Sequence, residues 1–579
     1  MSTPSKEELY AYFQQSMNYL NEEGEKFSKE YPFVASALNF SSRGTSDPDV
    51  QRLLESFAFL DARLQYNLND KFSKISTMFL SALYPQFVNS IPSCVVMNMQ
   101  IDEKMFKTLI NQVVPKNTTF TRMYQQTKVT FSTIKNLHLS PLKIISTNYV
   151  RAEDTNLKDL IKFEWALALH VNQLKSLNKN TKTSIYIDAN LNIAESLLKM
   201  ILCYDVEKNT PIFLTDLSYN ALFMHSVGEI EYNTLSDEES LLPDNGAADH
   251  YRLLMEYSIF PEKFLFFDLL FNNIFNQDEA ILIIPLSKSA KPFNTPIAQD
   301  ALKINCVPTI NLFEKVSNPI YISNEQEKYL LTSDLNSENF AIYKICNMFS
   351  YDQKTGQEIE YYSYFEPKES DVDMFWYADY ENEEVYVSLF KENFNFLQQN
   401  DEILYARTLS SNYRLCEEIA PYTEFEIGSI IGLNAINLQY PTKYISNNSK
   451  KQKHWQLISH MNLSHQNIVF HEKNIQILND VTQLYNYSKH ANYKNILHSL
   501  TYEKKITHFG KYEKWQGTCP KLSIKLTVKD THTTFLLGYI WMNILSKCID
   551  FYFVTEVTLY SMNSMHEPQK RVIDNEFFN

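Results

Sequence analysis

The sequence predicts a multidomain α+β protein, with a helical segment first and β-rich and mixed segments after it. The chain has 579 residues, and a single hydrophobic core rarely extends beyond about 250–300 residues. Apolar residues recur at helical spacing through the first part of the chain and at the alternating spacing of strands after Ser93. The composition, 44% hydrophobic and 21% charged, is typical of folded proteins.

The first helix is predicted to begin at Ser5, because Ser5 and Glu8 form an S-x-x-E capping box. Proline disfavours the helical conformation in the residue before it, so the pair Tyr31-Pro32 is expected to end the helix. The apolar residues between these two points recur at helical spacing and are Leu9, Tyr12, Phe13, Met17, Leu20 and Phe27.

A second helix is predicted from Pro48 to Asn69. Asp47 can cap it, and Pro48 takes the first helical position, where the missing N–H is no loss. Arg52 and Arg63 lie outside the apolar stripe and are either bidentate anchors of an interface or solvated helix residues. The stripe itself consists of Val50, Leu53, Leu54, Phe57, Leu60, Leu64 and Leu68.

A third helix is predicted from about Phe72 to Leu83, ending before Pro85. Each of the three predicted helices has one apolar face. They are expected either to form a bundle with one another or to pack these faces against another chain.

From Ser93 to about Val150 the apolar spacing approaches two, which predicts a β-rich domain. Later segments alternate strands and helices: "TSIYID" precedes the helical "NIAESLLKMILCY", and the helical "YRLLMEYSIF" turns at Pro261 into a buried strand from Phe264. We place domain borders so that the segments are 1–92, 93–225, 226–400 and 401–579.

Charge is distributed unevenly around a formal net charge of −15, which argues against general nucleic-acid binding. Residues 351–400 contain 12 acidic and 3 basic residues together with 13 aromatic residues. Residues 441–530 contain 14 lysines, no arginine and 5 acidic residues. The two segments are either solvated surfaces of opposite sign or surfaces that meet partners.

Several chemistries are disfavoured. The sequence has 10 glycines and contains neither a G-x-G nor a G-x-x-x-x-G-K motif, which are the motifs of loops that bind nucleotide phosphates. The 13 histidines show no H-E-x-x-H spacing and the 7 cysteines no C-x-x-C pair, so we expect no metal site and no cofactor. Acidic pairs such as Asp371 with Asp373 and Glu383 with Glu384 are weak candidates for acid–base catalysis, and we expect no catalytic residue.

The longest apolar stretches begin at Phe264 and Phe535 and fall short of the roughly 20 residues that cross a bilayer. The N-terminus has no basic region followed by an apolar one. We therefore expect no membrane insertion, no general secretion signal and a cytoplasmic location.

Four blocks of the sequence resemble one family. They are "DPDVQRLLESFAFLDARLQYNLNDKF" with "LYPQFVNSIPS", then "VVPKNTTF", then "DEESLLPDNGAADHYRLLMEYSIFPEKFLFFDL", and finally "WQLISHMNLS" with "NDVTQL". These blocks, in this order, resemble the TssF family of type VI secretion baseplate proteins, which is also called VasA or ImpG. The resemblance extends over nearly the whole chain.

The resemblance implies that the protein is not an enzyme and that its fold is like that of the wedge proteins of contractile-tail baseplates. It implies that two TssF copies join TssG and TssE in each wedge, that TssK links the wedges to the inner-membrane complex, and that the wedges surround the VgrG spike, on which the Hcp tube and the sheath assemble. The expected location is therefore the cytoplasm, docked at the inner membrane through the baseplate.

The candidate interface residues lie in the matched blocks. We expect the stripe to pack against TssG. Arg252, Glu256, Glu262 and Lys263 could fix the corner at Pro261 by pairing, although exposed ion pairs contribute little. Alternatives left open are a wedge protein of a phage-derived contractile system and a hydrolase that acts on the cell wall through the acidic aromatic segment. The candidates are Val50, Arg52, Leu53, Phe57, Leu60, Arg63, Leu64, Tyr251, Arg252, Trp455 and His460.

Overall fold

In the computed structural model, the chain folds into two units. Unit 1 contains residues 1–83 and 451–458, and unit 2 contains residues 84–450 and 459–579. The structure describes residues 6–37, 40–41, 44–45, 47–84, 88–102, 104–157, 162–205, 209–243, 251–288, 297–322, 326–334, 339–352, 356–364, 374–381, 384–391, 402–428, 430–446, 454–461, 469–487, 495–509, 517–529, 534–548, 554–561 and 570–574.

Unit 1 is mainly helical, as the sequence predicts. The Asp47 side chain accepts a hydrogen bond of 2.9 Å from the N–H of Asp49, which confirms Asp47 as the cap of the second helix. The elements are α1 (Lys6–Glu30), α2 (Pro32–Ala37), the short pair β1 (Phe40–Ser41) and β2 (Gly44–Thr45), and α3 (Pro48–Leu83).

The predicted break between the second and third helices is wrong, because α3 continues unbroken for 36 residues. At a rise of 1.5 Å per residue, α3 is about 54 Å long. The residues at the expected break, from Asn69 to Lys71, include neither proline nor glycine, so nothing in the local sequence stops the helix.

α1 and α3 pack side by side in opposite directions. The Ser16 hydroxyl donates to the Asp61 carboxylate over 2.8 Å, and the rings of Tyr12 and Tyr66 meet edge to face at 6.4 Å. Ala58 of α3 is completely buried on this side, and a small side chain permits close approach of the helices.

Unit 2 contains a closed β-barrel with the strand order β16-β3-β26-β25-β5-β6. Alternate residues of β3 point inward, among them Val95 and Met97, and the rings of Phe131 and Phe425 meet edge to face at 5.7 Å. Its strands come from three of the segments predicted from the sequence, 93–225, 226–400 and 401–579. These three segments therefore share one core. They are β3 (Cys94–Ile101), β5 (Thr119–Tyr124), β6 (Thr127–Thr133), β16 (Cys306–Ile310), β25 (Glu424–Glu426) and β26 (Leu433–Asn437). Short elements nearby in sequence are α4 (Phe106–Leu109), β4 (Val113–Val114) and β7 (Leu137–His138).

An antiparallel sheet follows with the order β15-β10-β13-β12-β11-β14-β9-β8. The strand predicted from Phe264 begins only at Phe266, because Pro261–Phe264 form a 3-10 turn. The strands are β8 (Lys143–Arg151), β9 (Trp165–Asn172), β10 (Lys182–Ile187), β11 (Thr210–Thr215), β12 (Gly228–Glu231), β13 (Phe266–Phe271), β14 (Ala280–Pro285) and β15 (Leu302–Ile304), with helices α5 (Leu191–Leu202) and α6 (Arg252–Ile259) between them in sequence.

The segment rich in acidic and aromatic residues belongs to a second large sheet, with the order β17-β24-β20-β21-β22-β23-β19 and with β18 paired to β24. Its buried face includes Met348, Val387 and Leu404. The strands are β17 (Phe313–Val316), β18 (Ile320–Tyr321), β19 (Tyr329–Leu331), β20 (Ala341–Asp352), β21 (Glu358–Ser363), β22 (Met374–Glu381), β23 (Glu384–Lys391) and β24 (Glu402–Ser411).

The C-terminal sheet has the order β27-β28-β29-β30. β28 and β29 pair in parallel, which requires a crossover, and the buried helix α9 lies between them in sequence. The elements are α7 (His454–Met461), α8 (Asn474–Leu484), β27 (Leu497–Phe509), β28 (Gly517–Val528), α9 (Thr534–Cys548), β29 (Val554–Ser561) and β30 (Lys570–Asp574). Among the described helices, none has the length and apolarity needed to cross a bilayer.

Candidate interaction surfaces

A line of exposed apolar side chains lies on α3 in unit 1 and consists of Leu53, Phe57, Leu60, Leu64 and Leu68, here called the α3 stripe. Their exposed fractions range from 45 to 61%. At 100° per residue, the first four side chains fall within an arc of about 60° around the helix axis. The spacing therefore aligns them along one line of the helix.

The α3 stripe is exposed because α1 packs against a different side of α3. Ala58 and Asp61, which lie on that side, are buried and half-buried. Of the stripe predicted from the sequence, Val50 and Leu54 are also half-buried, while the remaining residues face outward. Complete burial of one leucine or phenylalanine contributes about 1.5–3 kcal/mol, and contiguous exposed apolar surface of this kind marks interaction sites.

Arg52 and Arg63 are both exposed and lie beside the α3 stripe, about 80–100° around the helix from Leu53. Arg52 is 4.0 Å from Asp49, and both side chains are largely exposed, so this pair stabilises the helix very little. The two guanidinium groups border the stripe and can contact a partner that covers it.

Tyr251 and Arg252 lie in a different environment, at the start of α6. Arg252, Glu256 and Lys263 form a buried group, here called the corner cluster. The Glu256 carboxylate pairs with the Lys263 ammonium and with the Arg252 guanidinium, whose Nε lies 3.4 Å from Oε1. It also accepts a hydrogen bond of 2.8 Å from the N–H of Leu241.

The corner cluster corrects the expectation of exposed ion pairs around Pro261. Burial by itself raises the pKa of Glu256, but the charges of Lys263 and Arg252 more than compensate, so the net pKa lies below its ordinary value. The side chains are buried because α6 and the 3-10 turn after it fold the charged residues inward against the loop that contains Leu241. The order of charged residues in the sequence does not reveal whether their side chains point into the core or toward solvent.

Tyr251 also belongs to a buried aromatic junction formed with His460, Tyr485 and Trp541. Its ring stacks on Tyr485 at 5.5 Å and meets His460 edge to face at 4.5 Å. The His460 Nδ1 lies 3.2 Å from the Tyr485 hydroxyl, and the Trp541 Nε1–H donates to Thr482 over 2.9 Å. The junction connects the start of α6 to α7, α9 and the end of α8.

The structure therefore separates the residues selected from the sequence into two groups. Tyr251, Arg252 and His460 are buried, so their contacts are within this chain. Trp455 lies in α7, and its side chain is outside the described residues. The α3 residues with Arg52 and Arg63 form the candidate interaction surface.

Glu195 of α5 is a buried polar residue that sequence reasoning missed. It accepts a hydrogen bond from the Tyr257 hydroxyl of α6. Burial raises the pKa of Glu195 to about 8, so the carboxyl is protonated at neutral pH. A glutamate within the otherwise apolar "NIAESLLKMIL" pattern was the available signal.

The catalytic alternative gains no support from the described residues. Asp371, Asp373 and Glu383 lie outside them, and Glu384 is an exposed residue at the start of β23 that accepts a hydrogen bond of 2.7 Å from Tyr386. Among the described histidine, cysteine, aspartate and glutamate residues, no group of three or more lies close enough together to hold a metal ion.

Comparison with known proteins identifies the family. A family model described as "Type VI secretion system, TssF" matches residues 5–570. The type VI secretion system component TssF1 of Pseudomonas aeruginosa is 24% identical over 346 residues, which cover 56% of this chain and 55% of the relative. The match thus spans about half the length of that curated relative.

Two solved structures have a similar fold. A chain of a TssK-TssF-TssG baseplate subcomplex, solved by cryo-electron microscopy, superposes with a TM-score of 0.68 and 19% identity, covering 92% of this chain and 99% of that chain. A chain of the baseplate complex from the type VI secretion system gives a TM-score of 0.53 and 19% identity, covering 96% and 97%. Since the family model covers almost all of the sequence, the chain belongs to the TssF family of the type VI secretion system.

Proposed function

We propose that this chain is a structural, non-enzymatic subunit of a type VI secretion baseplate wedge and that it binds TssG through the α3 stripe. The observation that carries this proposal is the line of exposed apolar side chains on a helix whose other side is already packed. A structurally similar chain comes from a complex that also contains TssG and TssK. These two proteins are therefore the first partners to test.

A helical partner suits the geometry of the α3 stripe. Its residues are spaced by four and three positions, the spacing with which a helix packs against a second helix. Arg52 and Arg63 on its flank can pair with carboxylates at the rim of such an interface. Packing of this kind would bury apolar surface that the hairpin of α1 and α3 leaves exposed.

The wider assembly follows from the same proposal. A second copy of the chain, TssE, the VgrG hub, Hcp and the sheath are the further proposed neighbours, with TssK connecting the wedge to the inner membrane. The proposed location is the cytoplasmic side of that membrane. In this role the chain supports assembly of the tube and sheath and transmits the rearrangement that starts contraction.

The test is co-purification of the full chain with TssG after the double substitution Leu53→Asp and Leu60→Asp. Two buried charges in the centre of an apolar interface are expected to weaken binding by about 100-fold or more. Phe59→Asp is the matched control, because Phe59 is also exposed but lies about 120° around the helix from Leu53.

Circular dichroism and thermal melting establish that both variants are folded. Loss of TssG with the double variant and its retention with Phe59→Asp supports the proposal. Retention of TssG by a folded double variant would contradict it.

A further inference from the structure

The C-terminal sheet ends in a long strand that, among the described strands, is paired on one side only. β27 is the first strand in the sheet order and has 13 residues. Pairing of β28 with β29 begins at Lys521, whereas its pairing with β27 continues to Gly517 opposite Phe509. The β27–β28 ribbon therefore extends past the rest of the sheet.

The pairing indicates which backbone groups of β27 point outward. Ile506 pairs with Pro520, and proline has no N–H to donate to a partner strand. Residue pairs of an antiparallel ladder alternate between those that exchange hydrogen bonds and those whose backbone groups point away. The outward positions are therefore Ile506, Lys504, Tyr502 and Leu500.

Contacts at the inner end of β27 agree with this assignment. The Asn474 side chain donates to the Leu500 carbonyl over 3.5 Å. Asn479 donates to the Leu497 carbonyl and accepts from the Leu497 N–H, each over 3.1 Å. Leu497 lies beyond a register shift between Leu497 and Ser499, which moves the outward position by one residue. These asparagines of α8 make, with their amide groups, the bonds that a neighbouring strand would make.

In the described part of the chain, this asparagine bridging ends at Leu500. The six residues from Thr501 to Ile506 are exposed, and Ile506 reaches 77%. An exposed strand edge of this length is a template for pairing with another strand.

The surface around this edge is positively charged. β27 and β28 together contain Lys504, Lys505, Lys521 and Lys525 but one acidic residue, Glu503. Lys505 pairs with Glu503 over 2.8 Å and Lys521 with Glu556 of β29 over 3.0 Å, so the four lysines and two glutamates have a formal net charge of +2. These lysines disfavour a basic or purely apolar strand as the added partner and favour an acidic one. A nucleic acid fits less well, because its phosphates cannot continue the N–H and C=O ladder.

We propose that the outer edge of β27, from Thr501 to Phe509, binds an extended acidic segment of a partner protein as an added strand. The backbone groups at Tyr502 and Ile506 supply the pairing, and the net positive charge of the ribbon supplies selectivity for an acidic segment. This is β-strand addition. The site is separate from the α3 stripe and does not depend on the proposed binding of TssG.

The probe is a short fluorescent peptide of alternating Glu and Val, titrated against the full-length chain and followed by anisotropy. We expect binding that weakens with salt and that falls by about tenfold or more when alternate peptide amides are N-methylated, because the ladder is then lost. A Lys–Val peptide of the same length should bind at least as weakly as the methylated one.

The matched variants are Ile506→Pro and Ile506→Thr. Proline removes an outward N–H but leaves the bonds to β28, so Ile506→Pro should reduce binding by about tenfold, while Ile506→Thr keeps the N–H and most of the binding. In wild-type protein, hydrogen exchange at the amides of Tyr502 and Ile506 should slow when the Glu–Val peptide is added. That last measurement holds even if the proline variant fails to fold.

Four results would overturn the proposal. They are no binding of the Glu–Val peptide, equal binding of the N-methylated peptide, unchanged exchange at Tyr502 and Ile506 with the peptide bound, and tighter binding of a single-stranded thymidine oligonucleotide than of the peptide. Equal binding of the N-methylated peptide would mean attraction by charge without strand pairing. Tighter binding of the oligonucleotide would mean that the surface binds nucleic acid.

Discussion

The α3 stripe in unit 1 and the corner cluster in unit 2 depart from the usual distribution of side chains in opposite ways. The five large apolar residues of the α3 stripe are exposed. In the corner cluster, three charged residues are buried with a carboxylate between two cations. The charges of the corner cluster are paired within the chain, whereas the side chains of the α3 stripe are not covered by any of the described residues. Buried charges that are already paired stabilise the fold of this chain, and the α3 stripe is the surface that we propose for a partner.

The largest expected effect comes from breaking the corner cluster. Glu256→Ala leaves Lys263 and Arg252 buried without their carboxylate, which should lower the free energy of unfolding by about 3–5 kcal/mol. The measurement is denaturant unfolding followed by tryptophan fluorescence. Glu426→Ala, at an exposed position of β25, serves as control and should change the free energy by less than about 0.5 kcal/mol. Equal effects of the two substitutions would contradict the structural role of the cluster.

A smaller effect should separate the two sides of α3. Ala58→Leu adds volume where α3 is fully buried beside α1 and should destabilise the chain by about 1–3 kcal/mol. Leu60→Ala, on the exposed side, should change the free energy of unfolding by less than about 0.5 kcal/mol. Thermal or chemical unfolding of the two variants in parallel provides the comparison. If Leu60→Ala is the more destabilising, the stripe is already packed within the chain.

The smallest effect concerns Glu195 and depends on pH. Since the pKa of Glu195 is about 8 in the folded chain and its ordinary value is 4.5, the unfolded chain releases this proton first as the pH rises. The stability contributed by this group is therefore present below about pH 4.5 and declines until about pH 8.

Glu195→Gln removes this dependence. Relative to wild type, the variant should gain about 1 kcal/mol between about pH 7 and pH 8. Denaturant unfolding at both pH values measures the difference. A constant difference between variant and wild type across this range would mean that Glu195 does not titrate as inferred.

The fold class and the local elements were predictable where one local signal determines them. Asp47-Pro48 starts α3 as expected, and alternating apolar residues mark β3. The expected helix break near Asn69 failed because a polar stretch resembles a loop in composition, although it contains no residue that stops a helix.

The candidate surfaces were predictable in part. The α3 stripe follows from helical periodicity, but periodicity does not specify which side α1 covers. The burial of Arg252, Glu256 and Lys263 depends on the loop at Leu241, which is distant in sequence. The aromatic junction brings Tyr251 together with Tyr485 and Trp541. Contacts over such separations depend on the tertiary fold and leave no local pattern.

The central claim is that the α3 stripe is the surface that binds TssG. The most direct test is a cryo-electron microscopy map of the full chain in complex with TssG. We expect Leu53, Phe57, Leu60 and Leu64 to be buried against TssG helices, with Arg52 and Arg63 at the rim. A map in which TssG binds elsewhere and these four side chains stay exposed to solvent would contradict it.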